Sequence, residues 1–218
     1  MRKFSYALIV CGILLLLYPR ANEWYNDRQQ QKLLDEAQQS FQEPADTPDA
    51  DLESRYAQVS ELLAEESLLD EQTQTEGEQP APNEPEIGGK VIAVIQIGKI
   101  DLMLPVLEGA TKANMKHAAA HMKETTSLGE VGNAAIAAHR ARTTGRLFNR
   151  LNEVAIGDTI TVKTKDQTLE YVVYDITVVK PTDLSVLKPN GKDKILTLIT
   201  CDPLVNPTHR LIVHAKLP

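Results

Sequence analysis

From Val91 to the C-terminus the chain breaks into short runs of strand-forming residues, and no apolar pattern there is long enough for a sizeable helix. The runs are Val91–Ile97, Ile100–Leu107, Asn133–His139, Asp158–Thr164, Thr168–Val179, Lys194–Cys201 and Arg210–Lys216. Gly98-Lys99, Lys165-Asp166-Gln167 and Pro189-Asn190-Gly191 supply turns between them. Two short helical pieces are expected, near Asn114–His121 and Arg146–Leu151. Seven or eight short strands with brief helices predict a mainly β domain, a closed barrel or a sandwich, over residues 90–218. That length is ample for one hydrophobic core.

What precedes this domain has a different composition. Met1-Arg2-Lys3 leads into an uncharged run from Phe4 to Tyr18 with no small-x-small cleavage site after it. Residues 1–21 are therefore read as an uncleaved signal anchor, with the N-terminus in the cytoplasm and the rest outside. Residues 22–89 read as an acidic linker, partly helical and partly disordered in character. Residues 22–90 carry 18 Asp or Glu against four Lys or Arg, a net −14, whereas 91–218 carry a net +4. The chain's formal charge of −7 thus belongs to the linker. Helices are expected over 23–41 and over 51–72, where Leu52, Val59, Leu62 and Leu69 fall near one face. A segment with these signs is either a solvated spacer or a cover resting on the barrel and slowing entry to its groove.

The small charge of the domain excludes a nucleic-acid surface, and the stretch Arg140, Arg142, Arg146, Arg150 reads as a solvated face. The two cysteines are Cys11, in the apolar run, and Cys201. With one cysteine in the exported part, no disulfide forms within it, although such a compartment permits one. Cys201 ends a strand before Asp202-Pro203, a rigid place to hold a nucleophile. The competing reading is a small buried hydrophobe. His139 closes the strand Asn133-Ala-Ala-Ile-Ala-Ala-His139, and Arg210 opens the last one, so thiol, imidazole and guanidinium all stand at strand ends. His117 and His121 have the spacing of a helical metal pair but lack a third ligand, so no metal and no cofactor is implied.

Thr197-Leu-Ile-Thr-Cys201, Ala137-Ala138-His139 and the Arg210 position together resemble the sortases, membrane-anchored cysteine transpeptidases of Gram-positive bacteria. Leu104-Pro105-Val106 and Lys180-Pro181-Thr182-Asp183 fit the same resemblance. An N-terminal anchor is similar to classes A and D, and Gly145-Arg146-Leu147-Phe148 with the compact Cys-to-Arg loop leans towards class D. The resemblance implies an eight-stranded β-barrel. It implies Cys201 as nucleophile, His139 as acid and Arg210 as binder of the peptide or oxyanion. It also implies Ala137, Ile199 and Thr200 as groove residues. The implied partners are surface proteins bearing an LPXTG-like sorting signal, a peptidoglycan-precursor amine, and the membrane through the anchor.

Overall fold

The computed structural model describes residues 24–25, 27–37, 56–64 and 89–218. The expected anchor, residues 1–21, lies outside the described residues, as do linker residues 38–55 and 65–88. No helix among the described residues is long and apolar enough to cross a membrane.

Eight strands close into a barrel. They are β1 (Val91–Ile97), β2 (Leu102–Glu108), β3 (Ala119–His121), β4 (Gly132–Ala137), β5 (Thr159–Thr164), β6 (Thr168–Val179), β7 (Lys194–Asp202) and β8 (His209–Lys216). Round the barrel the order is β1-β2-β3-β4-β7-β8-β6-β5, and β5 pairs with β1 to remove both edges. Only β2/β3 and β4/β7 are parallel pairs. Inward side chains such as Ile95, Leu104, Ile136, Leu196, Leu198 and Val213 fill the interior together with Phe148 and Tyr171.

Seven strands fall within two residues of the runs read from sequence. The eighth, β3, lies where a helix was expected. The helix there is a single turn, α3 (Lys112–Met115), capped by the Thr111 hydroxyl accepting from the Asn114 amide. Ala119-Ala120-His121 then pairs in parallel with Val106-Leu107-Glu108. Alanine favours helix in isolation, but this segment is buried on both faces, and a small side chain suits that position. The expected helix at 146–151 is a series of turns ending in a 3-10 turn at Leu151–Glu153.

β4 shows the same logic at the site end of the barrel. All six of its residues are buried, with Ala134 and Ile136 facing the interior and Ala135 and Ala137 facing an outer apolar layer. Gly132 opens the strand at φ 145°, and a Cβ there would stand 2.1 Å from the Thr126 hydroxyl, so no larger residue fits.

Two linker helices pack on the barrel's outside. Helix α1 (27–37) buries Leu33, Leu34 and Ala37 against Val91, Val94, Leu107 and Ala118, and its Asp27 lies 3.5 Å from Arg146. Helix α2 (56–64) buries Tyr56, Val59, Ser60 and Leu63, the one-sided spacing of an amphipathic helix. Val59 was expected on that face. Leu62 is only half-buried, and Leu52 and Leu69 lie outside the described residues.

Candidate active site

Register places the three candidate residues in one row. β4 and β7 run parallel with Ala137 opposite Ile199. Two further residues along each chain lie His139 and Cys201, at the same level, with Cys201 still on β7. On the other side of β7, Cys201 is the antiparallel partner of Arg210. Paired residues of adjacent strands share a face, and Cys201 and Ile199 both belong to the outer layer that also holds Ala135, Ala137 and Ile212. Strand β4 itself ends at Ala137, so His139 stands just beyond the strand rather than on it, its carbonyl held by the Phe148 amide at 3.0 Å.

This row is covered. Cys201 is 0% exposed, Arg210 1% and His139 5%. The cover is α2, whose Tyr56, Val59 and Leu63 join Ala137, Ile199 and Cys201 in one apolar cluster. The Cys201 Sγ donates to the Leu63 carbonyl at 3.1 Å, a contact that requires the protonated thiol. Arg210 donates through Nη2 to the Ser60 carbonyl and through Nη1 to the His209 carbonyl at 2.9 Å. The Ser60 hydroxyl donates to the Pro181 carbonyl at 3.1 Å, tying the helix to the segment that follows β6. Burial pushes the Tyr56 phenol up, with the Arg210 charge opposing, so Tyr56 stays neutral beneath the helix.

Arg210 carries no carboxylate partner among the described residues, and its Nε has no hydrogen bond. A buried guanidinium satisfied only by carbonyls is a cation held ready for an oxygen-rich or anionic guest. Its present partners are the Ser60 carbonyl of α2 and the His209 carbonyl of β8. The helix thus offers the site peptide carbonyls in place of a peptide ligand.

Of the expected groove residues, Ala137 and Ile199 lie directly under α2. Thr200 is fully buried and its hydroxyl donates to the Ala138 carbonyl at 2.8 Å, so it braces β4 against β7. The solvated-face reading fails for Arg140, which is 9% exposed in its side chain and ion-paired to Asp202 at 2.7 Å. Arg150 does reach solvent, pairing with Glu153 at 2.7 Å. His117 and His121 do not share a helix, because His121 belongs to β3. Its Nδ1 faces the Glu108 carboxylate at 3.1 Å and its Nε2 the Thr126 carbonyl at 3.1 Å. Sequence reading missed Arg140 and the Tyr56/Ser60/Leu63 face of α2. The latter was present as i, i+4, i+7 spacing but competed with the longer pattern of Leu52, Val59, Leu62 and Leu69.

A closed eight-stranded barrel with a thiol and a guanidinium on one rung and an imidazole beyond the neighbouring strand defines a class of cysteine-dependent barrel proteins. The Sortase domain family model matches residues 95–218, and the chain belongs to the sortase family. It is 35% identical over 128 residues to Sortase A of Bacillus anthracis, covering 59% of this chain and 60% of that protein. It is 32% identical over 157 residues to Sortase A of Staphylococcus aureus, covering 71% and 73%. Against Sortase D of Bacillus subtilis the identity is 24% over 131 residues, covering 59% and 64%. The chain thus spans about 60% of the length of the Bacillus anthracis relative. Among solved structures, the Corynebacterium diphtheriae Sortase A lid mutant superposes with a TM-score of 0.57 at 27% identity, over 77% of this chain and 94% of that one. The Clostridium perfringens Sortase D5 transpeptidase gives 0.55 at 28% identity, over 74% and 99%.

Proposed function

We propose that this chain is a membrane-anchored cysteine transpeptidase acting on an LPXTG-like sorting signal. The observation that supports it best is the row formed by His139, Cys201 and Arg210 at matching ends of three adjacent strands. A thiol suits this chemistry because the thioester it forms reacts readily with amines.

The Cys201 thiol passes its proton to His139, and its sulfur attacks the carbonyl carbon of the signal's Thr. The electron pair of that carbonyl moves onto oxygen, where the Arg210 fork receives it. As the C–N bond breaks, His139 gives a proton to the departing amine, leaving the Thr acyl group on sulfur. A cell-wall-precursor amine then attacks the thioester, loses its proton to His139, and forms the new amide as the C–S bond breaks. Ala137 and Ile199 form the floor for the Leu-Pro end of the signal, and the small Ala137 leaves room for it. Residues 1–21 anchor the protein once through the cell membrane with the catalytic domain outside.

The deciding experiment incubates the protein with an LPXTG-type peptide and a primary amine. The expected product is the amide joining Thr to the added amine, its yield rising with amine concentration. Hydrolysis insensitive to amine would make the protein a peptidase, and no cleavage with an inert Cys201 would make it a tethered binding module.

A further inference from the structure

Main-chain pairing between β4 and β7 stops one residue short of the site. The last rung is the Ala138 amide donating to the Ile199 carbonyl at 3.2 Å. Beyond it, two side chains carry the pairing on. One is Thr200, bound to the Ala138 carbonyl. The other is Arg140, the residue after His139. Its Nη1 donates to the Cys201 carbonyl at 3.3 Å and to Asp202 Oδ1 at 2.7 Å, and its Nε to the Asn149 carbonyl at 3.4 Å. Asn149 in turn donates from its side chain to the Ala141 carbonyl, closing the loop that carries His139.

We infer that Arg140 is a positioning residue: its guanidinium clamps the segment after His139 to the carbonyl of Cys201 and so fixes the imidazole relative to the thiol. The inference rests on Cys201 and His139 acting as nucleophile and acid. An exposed Arg–Asp pair would do little, but this side chain is nine-tenths buried and spans three segments with one rigid fork. The paired register of β4 and β7 ends at Ala137 and Ile199, two residues before His139 and Cys201, and the clamp ties the chains together beyond that point. A displacement near 1 Å between reacting groups costs on the order of a hundredfold in rate.

The test measures kcat and KM for an LPXTG-type peptide and a primary amine with the full chain, well below each variant's melting midpoint. Arg140→Met is expected to lower kcat about ten- to a hundredfold with KM changed less than about twofold. Arg140→Lys keeps a charge for Asp202 but cannot reach all three acceptors, and is expected to regain only part of the loss. Asp202→Asn should lose less than Arg140→Met, and the double variant no more than Arg140→Met alone. Should Arg140→Met fail to fold, Arg140→Lys and Asp202→Asn carry the comparison. A second readout, the pH midpoint of Cys201 alkylation by iodoacetamide, needs no peptide and is expected to move in the Arg140 variants. Wild-type that leaves the peptide uncut while this midpoint still moves would sink the substrate reading and keep the clamp. Unchanged kcat with an unchanged alkylation curve would overturn the clamp, even if the melting midpoint fell.

Discussion

Cys201 and Arg210 are partners on one antiparallel rung, and each donates a side-chain hydrogen bond to the backbone of the same helix, at Leu63 and Ser60. The two groups that would engage a peptide are therefore engaged already. Any substrate must displace α2, and the cost of lifting Tyr56, Val59 and Leu63 out of the groove enters its apparent affinity.

Loosening that helix should speed the reaction. Leu63→Asp places a charge in a fully buried apolar position and is expected to raise turnover of a soluble peptide, and the alkylation rate of Cys201, by at least about tenfold. Most of the gain should persist at high salt because the contact is chiefly apolar. Opposite charges on linker and barrel add a part that fades above about 0.1 M. Equal rates for wild type and variant at every salt concentration would show that α2 is no barrier.

Cys201→Ala should abolish covalent capture of the peptide, read by intact mass, while the protein stays folded. The sulfur is small and buried, so a stability change of about 1 kcal/mol is expected in denaturant unfolding. An acyl-enzyme in this variant would remove Cys201 from the mechanism.

For Arg210 the question is charge against geometry. Arg210→Lys retains the charge but loses the two-pronged reach, and removal of a preorganised oxyanion donor costs about 10²–10³ in turnover in a well-studied hydrolase. A fall of that order in kcat/KM is expected for Arg210→Lys, and no smaller a fall for Arg210→Ala. Near-wild-type kinetics for the lysine variant would leave Arg210 a role in local charge alone.

A pH effect should arise away from the row. His214 lies against Tyr174, with ring centroids 5.9 Å apart, and its Nδ1 donates to the Thr197 hydroxyl at 2.9 Å. That hydroxyl donates to Asn133, whose amide donates to the Val186 carbonyl. Burial holds the His214 imidazole below its ordinary value, with Asp175 opposing. Because the folded value is the lower one, the unfolded chain binds the proton more readily. The contribution of His214 is complete above the usual value near 6.5 and is lost as pH falls through the depressed folded value. Comparing melting midpoints from pH 8 to 5, His214→Gln should lose less stability on acidification than wild type. Parallel curves would exclude this residue.

The strands were legible because β-formers and turn residues alternate plainly, and Cys201, His139 and Arg210 because polar groups at the ends of apolar runs stand out. β3 was not, since the three residues Ala119-Ala120-His121 carry no period and only pairing with β2 and β4 decides their conformation. Arg140 was hidden for a related reason. Beside three other arginines it looks like surface charge, and nothing local reveals that Asp202 and the Cys201 carbonyl close over it. The position of α2 is equally non-local, because an amphipathic face declares that it will be buried without declaring against what.

The parallel seam between β4 and β7 has a consequence for how activity is acquired. His139 and Cys201 come from segments 62 residues apart and meet only if the two strands pair without a slip. A shift of one residue would turn every side chain of one strand to the opposite face, sending either the imidazole or the thiol into the barrel. The pair of His139 and Cys201 therefore forms only when the seam has zipped correctly. A misaligned barrel would look folded to circular dichroism and still be silent in an amine-transfer assay, so enzymatic activity itself becomes a gauge of strand alignment during refolding.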